Sequence, residues 1–459
     1  MGRYDWSSDH DGMSNLTSNV RAMAANTPAE RNRVVDMMRV FSILVVIFGH
    51  WLIAAVTVED GELVTGHLLS MTRWTHPLTW VLQVMPLFFF VGGYSNALSW
   101  RSARRQGVRY GGWLRSRLRR LVLPVIPLLI VWGIGGWLAF NAGVEWQTLQ
   151  VASQVAVVPT WFLAAYVVIV ALAPAALLVW DRFGWWAIGG GVALAIVTDV
   201  VSIGFGIEIV GFLDYIWVWG TVHMLGYAWV DGRIAGPRRR VALTGVGLIG
   251  LCGLVGVGPY ATAMVGVGNN GITNSFPPRV TLIFLGVFQA GLVLLAERRL
   301  DRFAHRRAVW SGIVAVSSQI MTLYLWHLTA MILVIGIAVV VGGTGLGPTP
   351  DTAFWWLTRP VWFTVLTLVT VMLSLVFSRF ERPGPDHRAE PRTWRPVLAV
   401  LLTCLGLALL AEGGIADADG LHGLVLAAPI VGVVAGGIAG ARAAPDARVH
   451  SLAATPAVR

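Results

Sequence analysis

Long apolar stretches recur along the chain and alternate with short polar segments. Twelve of them approach the length of about 20 residues that a helix needs to cross a bilayer. They lie near 34–58, 78–98, 121–141, 157–180, 184–204, 208–230, 241–260, 279–297, 313–341, 353–378, 396–412 and 421–440. This pattern predicts an all-α polytopic membrane protein.

The arginines sort between the two sets of connecting segments. The N-terminal tail and every second connection after it hold about 30 of the 34 basic residues, whereas the other connections hold Arg73 and Arg279, with Arg359 nearby. Basic residues concentrate on the cytoplasmic side of a membrane. The pattern therefore predicts about twelve spans with both termini in the cytosol, because one missed span would invert every later loop.

A polar break near residue 380 divides the predicted spans into ten and two. We expect a flexible cytosolic tail at 1–33, a ten-helix membrane domain at 34–378 and a cytosolic linker at 379–395. Two additional transmembrane helices at 396–440 and a cytosolic tail at 441–459 follow. The last two spans are rich in Leu, Ala and Gly, which is typical of packing helices.

Composition supports a membrane protein and excludes several other classes. Charged residues make up 13% of the chain, about half of the usual share in soluble domains. The net charge of +10 does not indicate nucleic-acid binding, because every basic residue is an arginine and the arginines follow the membrane sidedness. Cys252 and Cys404 lie in apolar runs without metal-ligand spacing. We therefore predict no metal site and no bound cofactor.

The first span carries three ionisable side chains, Asp36, Arg39 and His50. Arg39 and His50 are eleven residues apart, so on a helix they share one face about 16 Å apart along the axis. Asp36 precedes Arg39 by one turn and can pair with it. Ionisable groups inside a span usually face a functional path. The alternative is an arginine that reaches the membrane surface and a histidine packed between helices.

Two further motifs suit the binding of a thin, phosphorylated ligand. Gly92 and Gly93 remove side chains where another helix or a slender ligand can approach closely. Arg117 and Arg120 lie one helical turn apart, and two guanidinium groups so placed can grip phosphates. The alternatives are small-residue packing for the glycines and ordinary sidedness charge for the arginines.

Asp199, Asp214 and His327 are polar residues within later spans. The topology places both aspartates in the outer half of the membrane, where a carboxylate should face a cavity or a partner. The three side chains are candidates for binding an acceptor molecule. Structural hydrogen bonding is the alternative for the aspartates, and packing between helices is the alternative for His327.

Together these motifs resemble the acyltransferase 3 family. The similar segments are VVDMMRVFSILVVIFGH, MPLFFFVGGYSNA, LRSRLRRLVLP, PTWFLAAY, HMLGYAWVDGR and LYLWHL, in that order across residues 34–378. The resemblance implies a ten-helix domain that moves acyl groups from a cytosolic donor, usually acyl-CoA, to hydroxyls of glycans and related molecules. It implies that His50 is the catalytic base and that Arg39, Arg117 and Arg120 support the donor. We therefore group Arg39 with His50 as catalytic candidates, and Gly92 and Gly93 with Arg117 and Arg120 as donor-binding candidates. The two additional C-terminal helices depart from the family pattern.

The sequence therefore predicts an integral membrane O-acyltransferase. Its partners would be acyl-CoA, most simply acetyl-CoA, as co-substrate, an envelope glycan or glycolipid as acceptor, and membrane lipids. His50 would take the proton from an acceptor hydroxyl that attacks the thioester directly. A proton-coupled transporter or flippase is the alternative, since buried Asp and His also suit a carrier. The two halves of the chain show no inverted repeat, which disfavours a carrier.

Overall fold

A computed structural model describes residues 22, 24–28, 30–59, 62–268, 271–381, 384, 386 and 388–439. The predicted C-terminal tail and most of the predicted N-terminal tail lie outside these ranges. From Arg33 onward, helices dominate. In chain order they are α1 (Arg33–Ile53), α2 (Leu68–Met71), α3 (Thr79–Leu82), α4 (Met85–Arg105), α5 (Tyr110–Val122), α6 (Val125–Asn141), α7 (Trp146–Val157), α8 (Pro159–Phe183), α9 (Trp185–Asp199), α10 (Asp214–Val230), α11 (Pro237–Val257), α12 (Val280–Ala304), α13 (Arg307–Ser317), α14 (Ile320–Val340), α15 (Ala353–Phe377), α16 (Trp394–Gly413) and α17 (Gly423–Ala435).

Two short hairpins and a few irregular turns complete the described part. Strands β1 (Ala54–Glu59) and β2 (Glu62–His67) pair antiparallel with Ala54 opposite His67, and β3 (Ala416–Asp417) pairs with β4 (Gly420–Leu421). Turns of 3₁₀ helix cover Arg73–Leu78, Glu208–Leu213 and Ser378–Phe380, and a π-helical turn covers Val200–Gly204.

Ten helical segments of the described part are long and apolar enough to cross a membrane, which confirms the all-α polytopic fold. Helices α5 and α6 form one further candidate span that is bent by 44°. The predicted third span, 121–141, contains this break near its start. Pro124 lies at the break, where it cannot donate the backbone hydrogen bond that a continuous helix needs.

Three other predicted spans are longer than the single helices that the structure contains there. The first, 34–58, is helical only to Ile53, after which a β-branched sequence continues as β1. The ninth, 313–341, is divided between α13 and α14. The twelfth, 421–440, contains a helix of 13 residues, shorter than the about 20 that span a bilayer. Leu421 belongs to β4, and the helix ends at Ala435 before Gly436 and Gly437.

Helix α17 nevertheless runs back along α16. Gly432 lies against Thr403 and Gly406 against Pro429, so the absence of side chains lets the two backbones approach. The Nε of Arg395 at the start of α16 donates to the carbonyl oxygen of Ala435, 3.0 Å away. The chain therefore returns to the level at which α16 begins.

We call the end of the bundle at which α1 begins the proximal end, and the end at which α1 finishes the distal end. Arg101 near the end of α4 pairs at the proximal end with Asp231, 2.6 Å away, and with Asp181, 3.2 Å away. Arg101, Asp181 and Asp231 lie at the C-terminal ends of α4, α8 and α10. All three helices therefore run from the distal to the proximal end.

Helix α4 lies at the centre and packs against α1, α8, α10 and α12. Phe89 stacks on Trp219 of α10 with ring centroids 4.6 Å apart, and Phe90 stacks on Trp229 at 5.2 Å. Helices α11 and α15 are mostly exposed. They form the periphery, where apolar side chains can face lipid.

Ion pairs and hydrogen bonds from arginines of α5 hold the segment before α16 against that helix. Asp386 forms ion pairs with Arg115 and Arg119, each at 3.0 Å, and with Arg388 at 2.8 Å. Burial alone would raise the pKa of Asp386, but hydrogen bonds from Arg388 and Arg119 and the charge of Arg115 hold it well below its usual range. These ion pairs hold the segment before α16 on α5, while α16 itself packs directly against α5, α7 and α8.

Candidate active site

Two histidines from distant parts of the chain meet between α1 and α14. His50 lies in the last turn of α1, and its Nδ1 is 2.9 Å from the Nε2 of His327. The two rings are nearly parallel, with an interplanar angle of 9° and centroids 5.2 Å apart. His327 is fully buried, whereas His50 is half-buried. The structure thus places the predicted base, His50, beside His327, for which the sequence suggested only acceptor binding or packing between helices.

Several hydrogen bonds fix the position of His327. Its Nδ1 is 2.6 Å from the carbonyl oxygen of Tyr324, one turn earlier on α14. The Tyr324 hydroxyl donates to the carbonyl oxygen of Pro159 at the start of α8. The indole Nε1 of Trp51, the residue after His50, donates to the His327 carbonyl oxygen at 3.1 Å. The pair is therefore tied into α1, α8 and α14.

A third histidine lies close to this pair and was missed by the sequence analysis. The β1–β2 hairpin turns the chain back after α1, and His67 at its end comes within electrostatic reach of His50. Burial lowers the pKa of His67. Its Nδ1 is buried and has no hydrogen-bond partner among the described residues. The predicted first span, 34–58, covers most of β1, and His67 falls in the connection after it, where no sequence pattern points to a functional histidine.

Asp36 and Arg39 lie near the other end of α1. Asp36 is 6% exposed and accepts a hydrogen bond from the Nε of Arg31 at 2.6 Å, while a guanidinium nitrogen of Arg39 lies 3.6 Å from its other oxygen. Arg31 satisfies the carboxylate closely, so the Arg39 side chain, which is partly exposed, keeps donors available.

Arg117 and Arg120 on α5 complete a cluster of positive charge at the proximal end. Arg117 is half-buried, contacts the Ser99 hydroxyl and has a buried Nε without a hydrogen-bond partner among the described residues. The charges of Arg39 and Arg120 both act on it. The fold therefore brings the three predicted donor-side arginines together, although Arg120 itself is exposed.

The glycine pair on α4 has two different surroundings. A Cβ at Gly93 would clash with the His223 carbonyl oxygen, so this glycine allows α4 and α10 to cross closely. These contacts favour the packing alternative for Gly93. A Cβ at Gly92 would instead meet the hydroxyl of Tyr166, 2.9 Å away. Tyr166 also acts electrostatically on Arg117, so Gly92 lies near the arginine cluster.

Asp199 and Asp214 belong to a separate cluster at the distal end. Asp199 accepts hydrogen bonds from Arg279 at 3.0 Å, from the Tyr260 hydroxyl at 2.9 Å and from the Val280 amide at 3.0 Å. These contacts favour a structural role for Asp199 and explain why Arg279 departs from the sidedness pattern. Asp214 is fully buried next to Asp199, and the two carboxyl groups lie close enough to share a hydrogen bond. The oxygens of Asp214 accept no hydrogen bond from N–H groups of the described residues.

A comparison with protein families identifies the domain that contains this site. The family model for an acyltransferase domain matches residues 32–379. The chain belongs to the acyltransferase 3 family. The resemblance seen in its motifs is thereby confirmed, and a transferase function in a multi-pass membrane protein follows. No curated protein and no solved structure matches the chain significantly.

The matched range contains both histidines and the arginine cluster of this acyltransferase 3 protein, and it excludes α16 and α17. Within the described residues, no group of three or more His, Cys, Asp or Glu side chains is arranged to hold a metal ion. The site contains an imidazole near the distal end of α1 and guanidinium groups near its proximal end. Acid–base chemistry and anion binding suit these two positions.

Proposed function

We propose that the chain is an integral membrane O-acyltransferase that moves an acyl group from acyl-CoA to a hydroxyl of an envelope glycan or glycolipid. Acetyl is the acyl group we expect. The observation that supports this most directly is the His50–His327 pair inside an acyltransferase domain. His50 lies on the same helix as Arg39.

In the proposed reaction His50 acts as general base. It takes the proton of the acceptor hydroxyl while the oxygen forms a bond to the thioester carbonyl carbon. The carbon–sulfur bond then breaks, and the leaving thiolate of CoA takes the proton from the His50 imidazolium. No electron transfer is involved and the acyl group moves in one transfer, so no covalent acyl-enzyme is required.

The donor would be held along α1. Arg39 lies about 16 Å from His50 along the helix axis, a distance that a pantetheine arm can cover. Arg117 and Arg120, close to Arg39, would bind the phosphates of CoA. The charged nucleotide would stay at the membrane surface, because its transfer into an apolar interior is costly.

We place the proximal end of the bundle in the cytosol. The arginine sorting supports this orientation, with the N- and C-termini on the cytosolic side of the plasma membrane. Acyl-CoA would then load from the cytosol, and the acceptor hydroxyl would reach His50 from the distal side. His67 and Asp214 are candidates for binding the acceptor. The buried Nδ1 of His67 has no hydrogen-bond partner among the described residues, and Asp214 is a buried carboxyl group beside Asp199.

Label transfer by the purified protein tests this function. The protein in lipid nanodiscs would be incubated with acetyl-CoA labelled in the acetyl group and with an envelope extract of its source. We expect label in a glycan or glycolipid fraction and release of free CoA, both lost in His50→Ala. A folded protein that neither transfers label from any acyl-CoA nor hydrolyses one would contradict the proposal and favour a transporter.

A further inference from the structure

We propose that His327 is a positioning residue that fixes His50 in one tautomer, with its proton on Nδ1 and its lone pair on Nε2. The proposal rests on the proposed function, since it specifies which atom of the base accepts the proton. The two side chains are separated by 277 positions in the sequence, yet their ring nitrogens are within hydrogen-bond distance.

The tautomer follows from a chain of hydrogen bonds that ends on a backbone carbonyl. A carbonyl oxygen can only accept, so the His327 Nδ1 that lies 2.6 Å from the Tyr324 oxygen must carry a proton. A neutral imidazole with a proton on Nδ1 has a lone pair on Nε2. That lone pair faces the Nδ1 of His50 at 2.9 Å. The Nδ1 of His50 must therefore be the donor, which leaves the lone pair of His50 on Nε2.

The hydrogen bond from the Nδ1 of His50 to His327 is present in both protonation states of His50. When the Nε2 of His50 takes a proton from the acceptor hydroxyl, its Nδ1 still carries a proton and still donates to His327. The opposite tautomer of His50 would set two lone pairs against each other at 2.9 Å. His327 thus opposes the tautomer whose Nε2 already carries a proton and could not act as base.

The surroundings hold His327 in this role. Its ring and Tyr324 are buried, and the Tyr324 hydroxyl is anchored to the Pro159 carbonyl oxygen at 2.7 Å. Trp51 holds the His327 backbone from the side of α1. A histidine that is oriented by a second group, which is itself fixed by hydrogen bonds, is a recurrent arrangement for a general base.

Three substitutions at His327 separate tautomer control from packing. The side-chain oxygen of His327→Gln can occupy the position of Nε2 and accept the proton from His50. The shorter His327→Asn reaches only the position of Nδ1, and His327→Leu fills the space without an acceptor. We expect His327→Gln to keep kcat within about tenfold of wild type, and the other two to lose about 10²-fold or more with an unchanged KM for acyl-CoA. Equal activity in all three variants, whether high or low, would overturn the positioning role.

Nuclear magnetic resonance of the wild-type protein provides a second test that does not depend on activity. With ¹⁵N-labelled histidine in bilayers, the His50 signals are those that disappear in His50→Gln. We expect a protonated Nδ1 and an unprotonated Nε2 at neutral pH, and a loss of this fixed tautomer in His327→Leu. The opposite tautomer in the wild type would refute the proposal. Full activity of His50→Ala would instead refute the proposed function, while leaving the tautomer measurement valid.

Discussion

His50 lies in the last turn of α1 and His327 lies in α14, and a single hydrogen bond of 2.9 Å joins their rings. Because the bond connects two helices that are far apart in sequence, the reactive imidazole depends on how α1 and α14 pack. The same packing is secured by the bond from Trp51 to the His327 backbone. The base and the residue that orients it are therefore parts of one interhelical contact.

Replacement of His50 by alanine should abolish transfer while leaving a folded protein. Loss of a general base costs about 10²–10⁴-fold in rate. The rate of label transfer from acetyl-CoA measures this, and gel filtration in detergent checks the fold. His422→Ala is the matched control, since that histidine pairs with Asp417 outside the matched domain and should leave transfer unchanged. Activity of His50→Ala within a few-fold of wild type would contradict the catalytic role.

The double substitution Arg117→Ala with Arg120→Ala should weaken donor binding more than turnover. Contacts with phosphates far from the carbonyl contribute equally to ground state and transition state, so KM for acyl-CoA rises while kcat changes little. Titration calorimetry at two salt concentrations measures the loss, which should shrink at high salt because the wild-type attraction is screened.

The control for this double variant replaces Arg298 and Arg299, two exposed arginines toward the proximal end of α12, by alanine. Their loss removes the same net charge without touching the cluster around Arg117. If both double variants bind the donor as the wild type does, Arg117 and Arg120 contribute only to the orientation of the protein in the membrane.

Asp199 and Asp214 should respond differently to substitution. Asp199→Ala leaves the buried Arg279 without its partner, and breaking such a pair costs about 3–5 kcal/mol, so the melting temperature should fall. Asp214→Asn removes no such pair and should raise KM for the acceptor while sparing donor binding. Thermal unfolding and acceptor kinetics of the two variants distinguish these roles. An unchanged acceptor KM in Asp214→Asn would exclude it from acceptor binding.

Asp386→Asn should weaken the attachment to α5 of the segment that precedes α16. The pKa of Asp386 lies below its usual range, so its ion pairs stabilise the protein above the ordinary pKa of an aspartate, about 3.9, and this contribution is lost as pH falls further. We expect a lower melting temperature for the variant at neutral pH and convergence with the wild type in acid. Asp419→Asn, at an exposed position, is the control. A variant as stable as the wild type at neutral pH would show that the cluster contributes nothing.

Transfer across the membrane should be visible in sealed vesicles of known orientation. With acyl-CoA added on the face that carries the proximal end, label should appear on acceptor enclosed on the opposite face. The arginine cluster lies near the proximal end of α1, whereas His50 lies near its distal end. Donor and acceptor should therefore arrive from different sides. Transfer only when both substrates share the proximal face would contradict this sidedness and leave His50 as base.

The sequence alone determined the all-α polytopic fold and the shared face of Arg39 and His50, because hydropathy and helical period are local properties. It also carried the motifs by which the family is identified. It misplaced the end of the first span, since the strand after Ile53 is as apolar as the helix before it.

Only the tertiary structure decided which polar groups meet. Arg115 and Arg119 form ion pairs with Asp386, whereas Arg117 contacts Ser99, although these three arginines belong to one short run of α5. The β1–β2 hairpin brings His67 toward His50, and the packing of α1 on α14 brings His327 to it. These contacts join residues distant in sequence, and their free energy depends on burial and geometry that no local pattern records.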